Sequence, residues 1–291
     1  MQSKGTQSSM ETPTWVPEQH AGGAEQLVEL DPQHPGFNDP VYRRRRNEIA
    51  KKAFVYRHGD PAPLIDYSPE EHGVWAEVWR HLDPIHERFA CSSYLECSRS
   101  LALDRQAIPQ LAALNQALEP RTGFKMLPVA GLISTRTFLV YLKRRIFLST
   151  QYIRHHATPL YTPEPDIVHE VVGHAAFFLH PEFSELNCLF GHVAEKADEA
   201  LLNQLSSLYW YTIEFGAVRE AGKVKAYGAG LLSSFGELGR FVEHAELKPL
   251  RMDEVVAQPY DPTQYQSTIY IADSFEHVLN EVGSWLEARR S

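Results

Sequence analysis

The run Pro163-Glu164-Pro165-Asp166-Ile167-Val168-His169-Glu170-Val171-Val172-Gly173-His174 places two histidines five residues apart, with a carboxylate beside the first. Neutral imidazole is the commonest metal ligand among side chains. On an ideal α-helix five residues advance about 500°, so the two rings would point about 140° apart. They converge on one ion only if the helix ends or bulges between them. Gly173 offers backbone angles at which such a break is cheap. The zinc-protease pattern, with histidines four apart on one helical face, is missed by one residue, which weakens a hydrolase reading without removing it. Two buried histidines in a helical turn, with no metal at all, is the plainer alternative.

With 291 residues and 43% hydrophobic content, the chain can bury one large core or two small ones. A formal net charge of −9 argues against nonspecific nucleic-acid binding. The run Arg43-Arg44-Arg45-Arg46 is a local exception, read as a solvated helix face because Glu48 follows at once. Three cysteines, Cys91, Cys97 and Cys188, form no C-x-x-C pair, which suits a reducing, cytoplasmic setting. No apolar run approaches membrane-spanning length, so no membrane partner is expected.

Residues 1–26, rich in Ser, Thr, Gly, Gln and Pro, read as a disordered tail, and 27–291 as a single catalytic domain. A short helix is expected from Pro40 to Ala53, then a Gly- and Pro-marked loop at Tyr56–Pro61. Ser68-Pro69-Glu70-Glu71 is a helix start with a capping box, followed by the apolar stripe Val74, Trp75, Val78, Trp79 and Leu82. Another helix is expected near Ile108-Pro109, with Leu111, Leu114 and Leu118 inward. Residues 123–135 read as extended, 135–147 as helical and 147–155 as a short strand. One long helix is expected from Ala194 to Phe215, a strand within 258–271, and a last helix from Asp273. The fold class is mainly α with short β-strands.

Glu214 lies inside the aromatic run Tyr209-Trp210-Tyr211-Thr212-Ile213-Glu214-Phe215. A carboxylate in apolar surroundings needs a partner or a metal. Residues 226–237, with Gly228, Gly230 and Gly236, read as a loop closely approaching a ligand. It is no phosphate loop, since the terminal Gly-Lys-Ser/Thr is missing. Two histidines and one carboxylate with open positions form the facial triad of non-haem Fe(II) oxygenases, although zinc accepts the same ligands. Phe138, Tyr209, Trp210 and Phe215 would make the surroundings dry and aromatic, which favours oxygen chemistry on a flat ring over hydrolysis.

Several strings together resemble the pterin-dependent aromatic amino acid hydroxylases. They are Leu30-Asp31 with His34-Pro35-Gly36-Phe37, Pro128-Val129-Ala130-Gly131-Leu132, Thr150-Gln151-Tyr152-Ile153-Arg154-His155, and Tyr161-Thr162-Pro163-Glu164-Pro165-Asp166. The His169–His174 motif, Tyr209-Trp210 with Glu214-Phe215-Gly216, and Lys225 to Leu238 complete the set in family order. The resemblance implies a basket-shaped, largely helical catalytic domain. It implies Fe(2+) held by His169, His174 and Glu214, and tetrahydrobiopterin or a related tetrahydropterin as electron donor. It places Gly131, Leu132, Ile133, Thr135, Phe138, Glu170 and Tyr209 at the pterin, with Phe138 stacking on it. Arg154, Thr162, Pro165, Trp210, Gly230 and Ser233 would hold the amino acid, Arg154 by clamping its carboxylate, and Tyr56 would be a mobile lid. The implied reaction uses O2 to hydroxylate L-phenylalanine to L-tyrosine. A tyrosine or tryptophan ring hydroxylase of the same family is the alternative, and a zinc hydrolase a remote one.

Departures from the family pattern touch cofactor and substrate choice. Leu148 stands where many members have histidine, Thr135 where they have serine, and Asp261-Pro262 replace familiar residues of a substrate-side loop. Trp210 speaks against a tryptophan hydroxylase. No regulatory or tetramerising segment is recognised, so a constitutive unit, monomeric or weakly dimeric, is expected.

Overall fold

Capping chemistry sets the first helices where the sequence places them. The computed structural model describes residues 28–131 and 133–290, so the 1–26 tail and Leu132 lie outside the described residues. Helix α1 (Pro40–Val55) opens on Asp39, whose carboxylate accepts from the amides of Val41 and Tyr42. Helix α2 (Pro69–Phe89) opens on the expected box, in which Ser68 accepts from the Glu71 amide and Glu71 accepts from the Ser68 amide. Its apolar stripe is buried as predicted. The next helix, α3 (Ser92–Leu101), has no side-chain cap at Cys91 and was not anticipated. Helix α4 (Leu111–Thr122) buries Leu111, Leu114 and Leu118 and ends at Gly123, in the left-handed region.

Strand β1 (Lys125–Pro128) pairs in parallel with β2 (Ile146–Ser149), and α5 (Thr135–Leu142) makes the crossover that a parallel pair requires. The helical reading to Phe147 is too long. The chain leaves α5 at Leu142 and passes Arg145 at φ 57° before entering β2. The strand expected over 147–155 stops at Ser149.

The single helix expected from Ala194 to Phe215 is also corrected. Helix α6 (Pro181–Lys196) ends first, and α7 (Glu199–Tyr209) starts afresh with Asp198 accepting from the Leu201 amide. The remainder, Trp210–Glu214, is a wide π-helical turn.

Strands β3 (Ala217–Glu220) and β4 (Lys223–Ala226) form a hairpin whose two turn residues, Ala221 and Gly222, both have positive φ. Short helices α8 (Ala229–Ser233), α9 (Phe235–Leu238) and α10 (Phe241–His244) follow. Then come β5 (Glu246–Pro249), α11 (Met252–Ala257), β6 (Thr268–Ala272) and α12 (Phe275–Glu287), which is capped by Ser274 rather than Asp273. The second sheet runs β4-β3-β6-β5, with β6 parallel to both neighbours. Of the strand expected within 258–271, only β6 forms.

One continuous core extends from Ile49 in α1 to Leu286 in α12. A smaller cluster joins Tyr56, Leu127, Val129, Ile146 and Leu148. Tyr56, expected as a lid, is buried there, and its hydroxyl donates to the Asp60 carbonyl at 3.2 Å. The solvated reading of the arginine run fails at Arg46, which is 2% exposed. Its guanidinium lies 3.2 Å from the Tyr152 ring centroid and pairs with Glu164 at 3.2 Å. Among the described residues no helix is long and apolar enough to cross a membrane.

Candidate metal centre and its surroundings

His169 and His174 lie in a π-helical turn spanning His169–Ala175. A π-turn carries more residues per turn than an α-helix, so positions five apart fall on one face. The bulge the spacing demanded is therefore present. Gly173 serves it differently from the expectation, because its φ is not positive. A Cβ there would lie 2.7 Å from the Ala229 carbonyl oxygen, so glycine lets α8 pack directly on the turn.

The second π-turn brings in the carboxylate. Its wide hydrogen bond runs from the Phe215 amide to the Trp210 carbonyl at 2.9 Å. Glu214 Oε1 lies 3.1 Å from His174 Nε2, and Glu214 Oε2 lies 3.5 Å from His169 Nε2. The two Nε2 atoms are 3.2 Å apart. Three side chains from two distant segments thus converge on one point, His174 buried and the other two half-buried.

The hydrogen bonding of His169 fits a cation there. Ser233 Oγ donates to the Ala229 carbonyl at 2.8 Å and lies 3.0 Å from His169 Nδ1. With its proton so used, the serine oxygen accepts from Nδ1–H, and the His169 Nε2 lone pair faces the convergence point. Burial lowers the His169 pKa to about 4 against the pull of Glu214, which keeps this ring neutral. A second histidine–carboxylate cluster, Asp39, His155 and His156, lacks this fit. There Nδ1 of His155 accepts from the Ala157 amide at 3.2 Å, so Nε2 carries the proton and donates to Asp39.

Around the centre, Phe147 packs on the His174 ring at 4.6 Å, and Phe138 sits edge-on to both Phe147 and Tyr209 at 5.5 Å. Glu170 is outside the triad, and its Oε1 accepts from the amide and hydroxyl of Thr150 at 3.2 and 3.0 Å. Burial pushes its pKa up to about 8. Of the other predicted pterin residues, Gly131 has open space where a Cβ would be, Ile133 packs on the small cluster and Thr135 is exposed. Leu148 is buried in that same cluster.

On the amino acid side, Arg154 already has a partner. Its Nε and Nη2 donate to the two oxygens of Asp166 at 2.9 and 2.8 Å, and Asp166 is fully buried. One edge of the fork is committed and Nη1 remains for a ligand. Asp166 stood inside the quoted motif with no role. The signal that finds it is the need of a buried guanidinium for a buried acid. Thr162 Oγ1 donates to the Glu164 carbonyl, and the Pro165 carbonyl accepts from Tyr152. The residue 226–237 segment is largely helical rather than a loop, with α8 and α9 inside it, and its glycines pack closely on neighbouring protein. Gly228 abuts the Glu214 backbone and Gly230 abuts the Phe215 ring. Trp210 stacks on Tyr260 with centroids 4.4 Å apart and donates its indole N–H to Gln266 at 2.8 Å.

Residues 23–289 match the family model of the biopterin-dependent aromatic amino acid hydroxylases. The chain belongs to this family. Rat phenylalanine-4-hydroxylase is 42% identical over 260 residues, covering 88% of this chain and 57% of the rat protein. Human tyrosine 3-monooxygenase is 42% identical over 262 residues, covering 88% of this chain and 50% of the human one. The chain thus spans little more than half the length of these relatives. Among solved structures, Chromobacterium violaceum phenylalanine hydroxylase with bound iron(III) and 7,8-dihydrobiopterin superposes with a TM-score of 0.73. That match is 30% identical and covers 79% of this chain and 85% of the other.

Proposed function

We propose that the chain is an iron- and tetrahydropterin-dependent monooxygenase that hydroxylates the ring of L-phenylalanine to give L-tyrosine. The observation that carries this reading is the convergence of His169, His174 and Glu214 on one point beside an aromatic wall. Two histidines and a carboxylate suit ferrous iron with positions left open. Residues 27–291 would form the catalytic unit. Its organisation as monomer or weak dimer and its cytoplasmic setting belong to the same proposal.

Iron and the reduced pterin, when bound, supply the electrons and activate dioxygen. The chain's own residues bind, orient and exclude water. His169, His174 and Glu214 hold the metal. Phe138 and Tyr209, with Gly131, Leu132, Ile133 and Thr135, would bound the pterin site, and Glu170 would contact the pterin from its seat on Thr150. Arg154, oriented by Asp166, would take the substrate carboxylate, with Thr162, Gly230 and Ser233 shaping that end. Pro165 and Trp210 would frame the substrate ring. The side chains packed on Trp210 include Phe215 and Tyr260, and Gln266 is already engaged by the indole. An apolar wall of this kind suits an unsubstituted ring, and it rejects an added hydroxyl only weakly. Identity does not separate the two substrates, since rat phenylalanine-4-hydroxylase and human tyrosine 3-monooxygenase are both 42% identical.

The test is anaerobic reconstitution with Fe(II), then addition of oxygen, tetrahydropterin and phenylalanine, tyrosine or tryptophan separately. Tyrosine formed from phenylalanine, identified by mass, is the expected product. Ring hydroxylation of tyrosine alone would overturn the substrate assignment, and no hydroxylation of any of the three would overturn the function.

A further inference from the structure

Glu237, in α9, is a carboxylate only 6% exposed that the proposed reaction does not use. Its Oε1 accepts from the backbone amide of Gln266 at 2.6 Å. The Gln266 side-chain oxygen in turn accepts from the indole N–H of Trp210 at 2.8 Å. Gln266 is therefore held through its backbone by Glu237 while its side chain holds Trp210. Its own Nε2 donates to the Gln264 carbonyl at 3.0 Å, which leaves the oxygen turned toward the indole.

The segment before β6 is fixed over Trp210 at its other points too. Tyr260 stacks on the indole, and its hydroxyl lies 2.6 Å from Ser206 Oγ. The Tyr265 hydroxyl occupies the space where Gly236 lacks a Cβ. Stacking alone lets an indole slide and rotate in its plane, whereas a hydrogen bond to its one donor fixes that rotation. Trp210 is also the first residue of the π-turn that ends at Glu214. We propose that Glu237 and Gln266 are positioning residues, a two-step latch that sets the orientation of Trp210 and through it the seating of the substrate's aromatic ring. Neither touches the reacting atoms. The substrate half of this inference rests on the function proposed above.

The test uses the full chain loaded with iron, with Gln266→Leu removing the acceptor and Glu237→Ala removing its anchor. Each is expected to raise KM for the aromatic amino acid about tenfold and to increase tetrahydropterin consumed per hydroxylated product. Iron content and the KM for tetrahydropterin should change less than about threefold. Glu237→Gln keeps an acceptor oxygen and should recover most of the lost KM. A second readout needs no turnover: the indole N–H resonance of Trp210, assigned by its absence in Trp210→Phe, should move in Gln266→Leu and Glu237→Ala and return in Glu237→Gln. An unchanged indole resonance overturns the latch. A shifted resonance with an unchanged amino acid KM overturns its role in substrate seating, as does a loss of activity that tracks iron loss. If the wild type hydroxylates no aromatic amino acid, the proposed function and the substrate half fall together, while the resonance still decides the latch.

Discussion

At the residue scale, the tautomer of His169 makes the centre chemically competent. Ser233 accepts a hydrogen bond from Nδ1–H, and Ser233 is itself fixed by the Ala229 carbonyl. Partners of this kind set ring orientation and ligand basicity, and their loss typically weakens metal binding about 10–100-fold. Ser233→Ala should therefore lower iron affinity by that range in a chelator-competition titration, and unchanged affinity would show that packing alone orients the ring. Asp166 gives a second case. Removing one member of a buried ion pair costs about 3–5 kcal/mol, because the other charge is left alone. Asp166→Asn should lose stability of that order in denaturant unfolding, with a weakened affinity for the amino acid carboxylate. The meeting of His169, His174 and Glu214 was legible in the sequence, since histidine and glutamate in apolar company announce themselves. The Arg154–Asp166 pair was not legible, because pairing is a property of space and the two residues lie in separate strings that no local rule connects.

At the scale of elements, both ligand-bearing segments are wide turns. The first was required by the spacing of His169 and His174. The second was hidden, because Trp210 and Glu214 four apart also suit an ordinary helix. The break between α6 and α7 was missed for a related reason: Asp198 is a cap signal inside a segment whose apolar period continues past it. Segment 226–237 was misread because three glycines suggest a loop, whereas two of them serve contacts with Glu214 and Phe215. Gly173→Ala tests this kind of contact. Its new methyl meets the Ala229 oxygen at 2.7 Å, and α8 must retreat. Overpacking of this sort costs about 1–3 kcal/mol, and since α8 carries Ser233 the variant should bind iron more weakly as well. A variant with wild-type stability and metal affinity would show that the turn and α8 yield freely.

For the molecule as a whole, helix content, the absence of a dominant sheet and the aromatic density around the centre were readable, while the order of the second sheet was not, because its strands are short and two of its pairings are parallel across long connections. Long-range docking leaves a titratable signature in His86 of α2, whose Nε2–H donates to the Leu232 carbonyl of α8 at 2.7 Å. Burial lowers its pKa to about 4, below the ordinary value of 6.5. The folded state thus binds fewer protons than the unfolded one between those values, and stability falls as pH drops from 6.5 to 4. The contribution at stake is about 3 kcal/mol. His86→Gln should flatten the slope of unfolding free energy over that window even where it lowers stability at neutral pH, and an unaltered slope would assign acid sensitivity to other groups. The spacing of the ligands along the chain has one more consequence. His169 and Glu214 are separated by all of α6 and α7, so an ion bound to both ties a long excursion of the polypeptide into a ring. The site exists only when those segments are folded together, so the free energy of binding the ion is free energy of folding. Stripping the ion should then accelerate unfolding and lower Tm by several degrees, making the site of chemistry also a rivet of the fold.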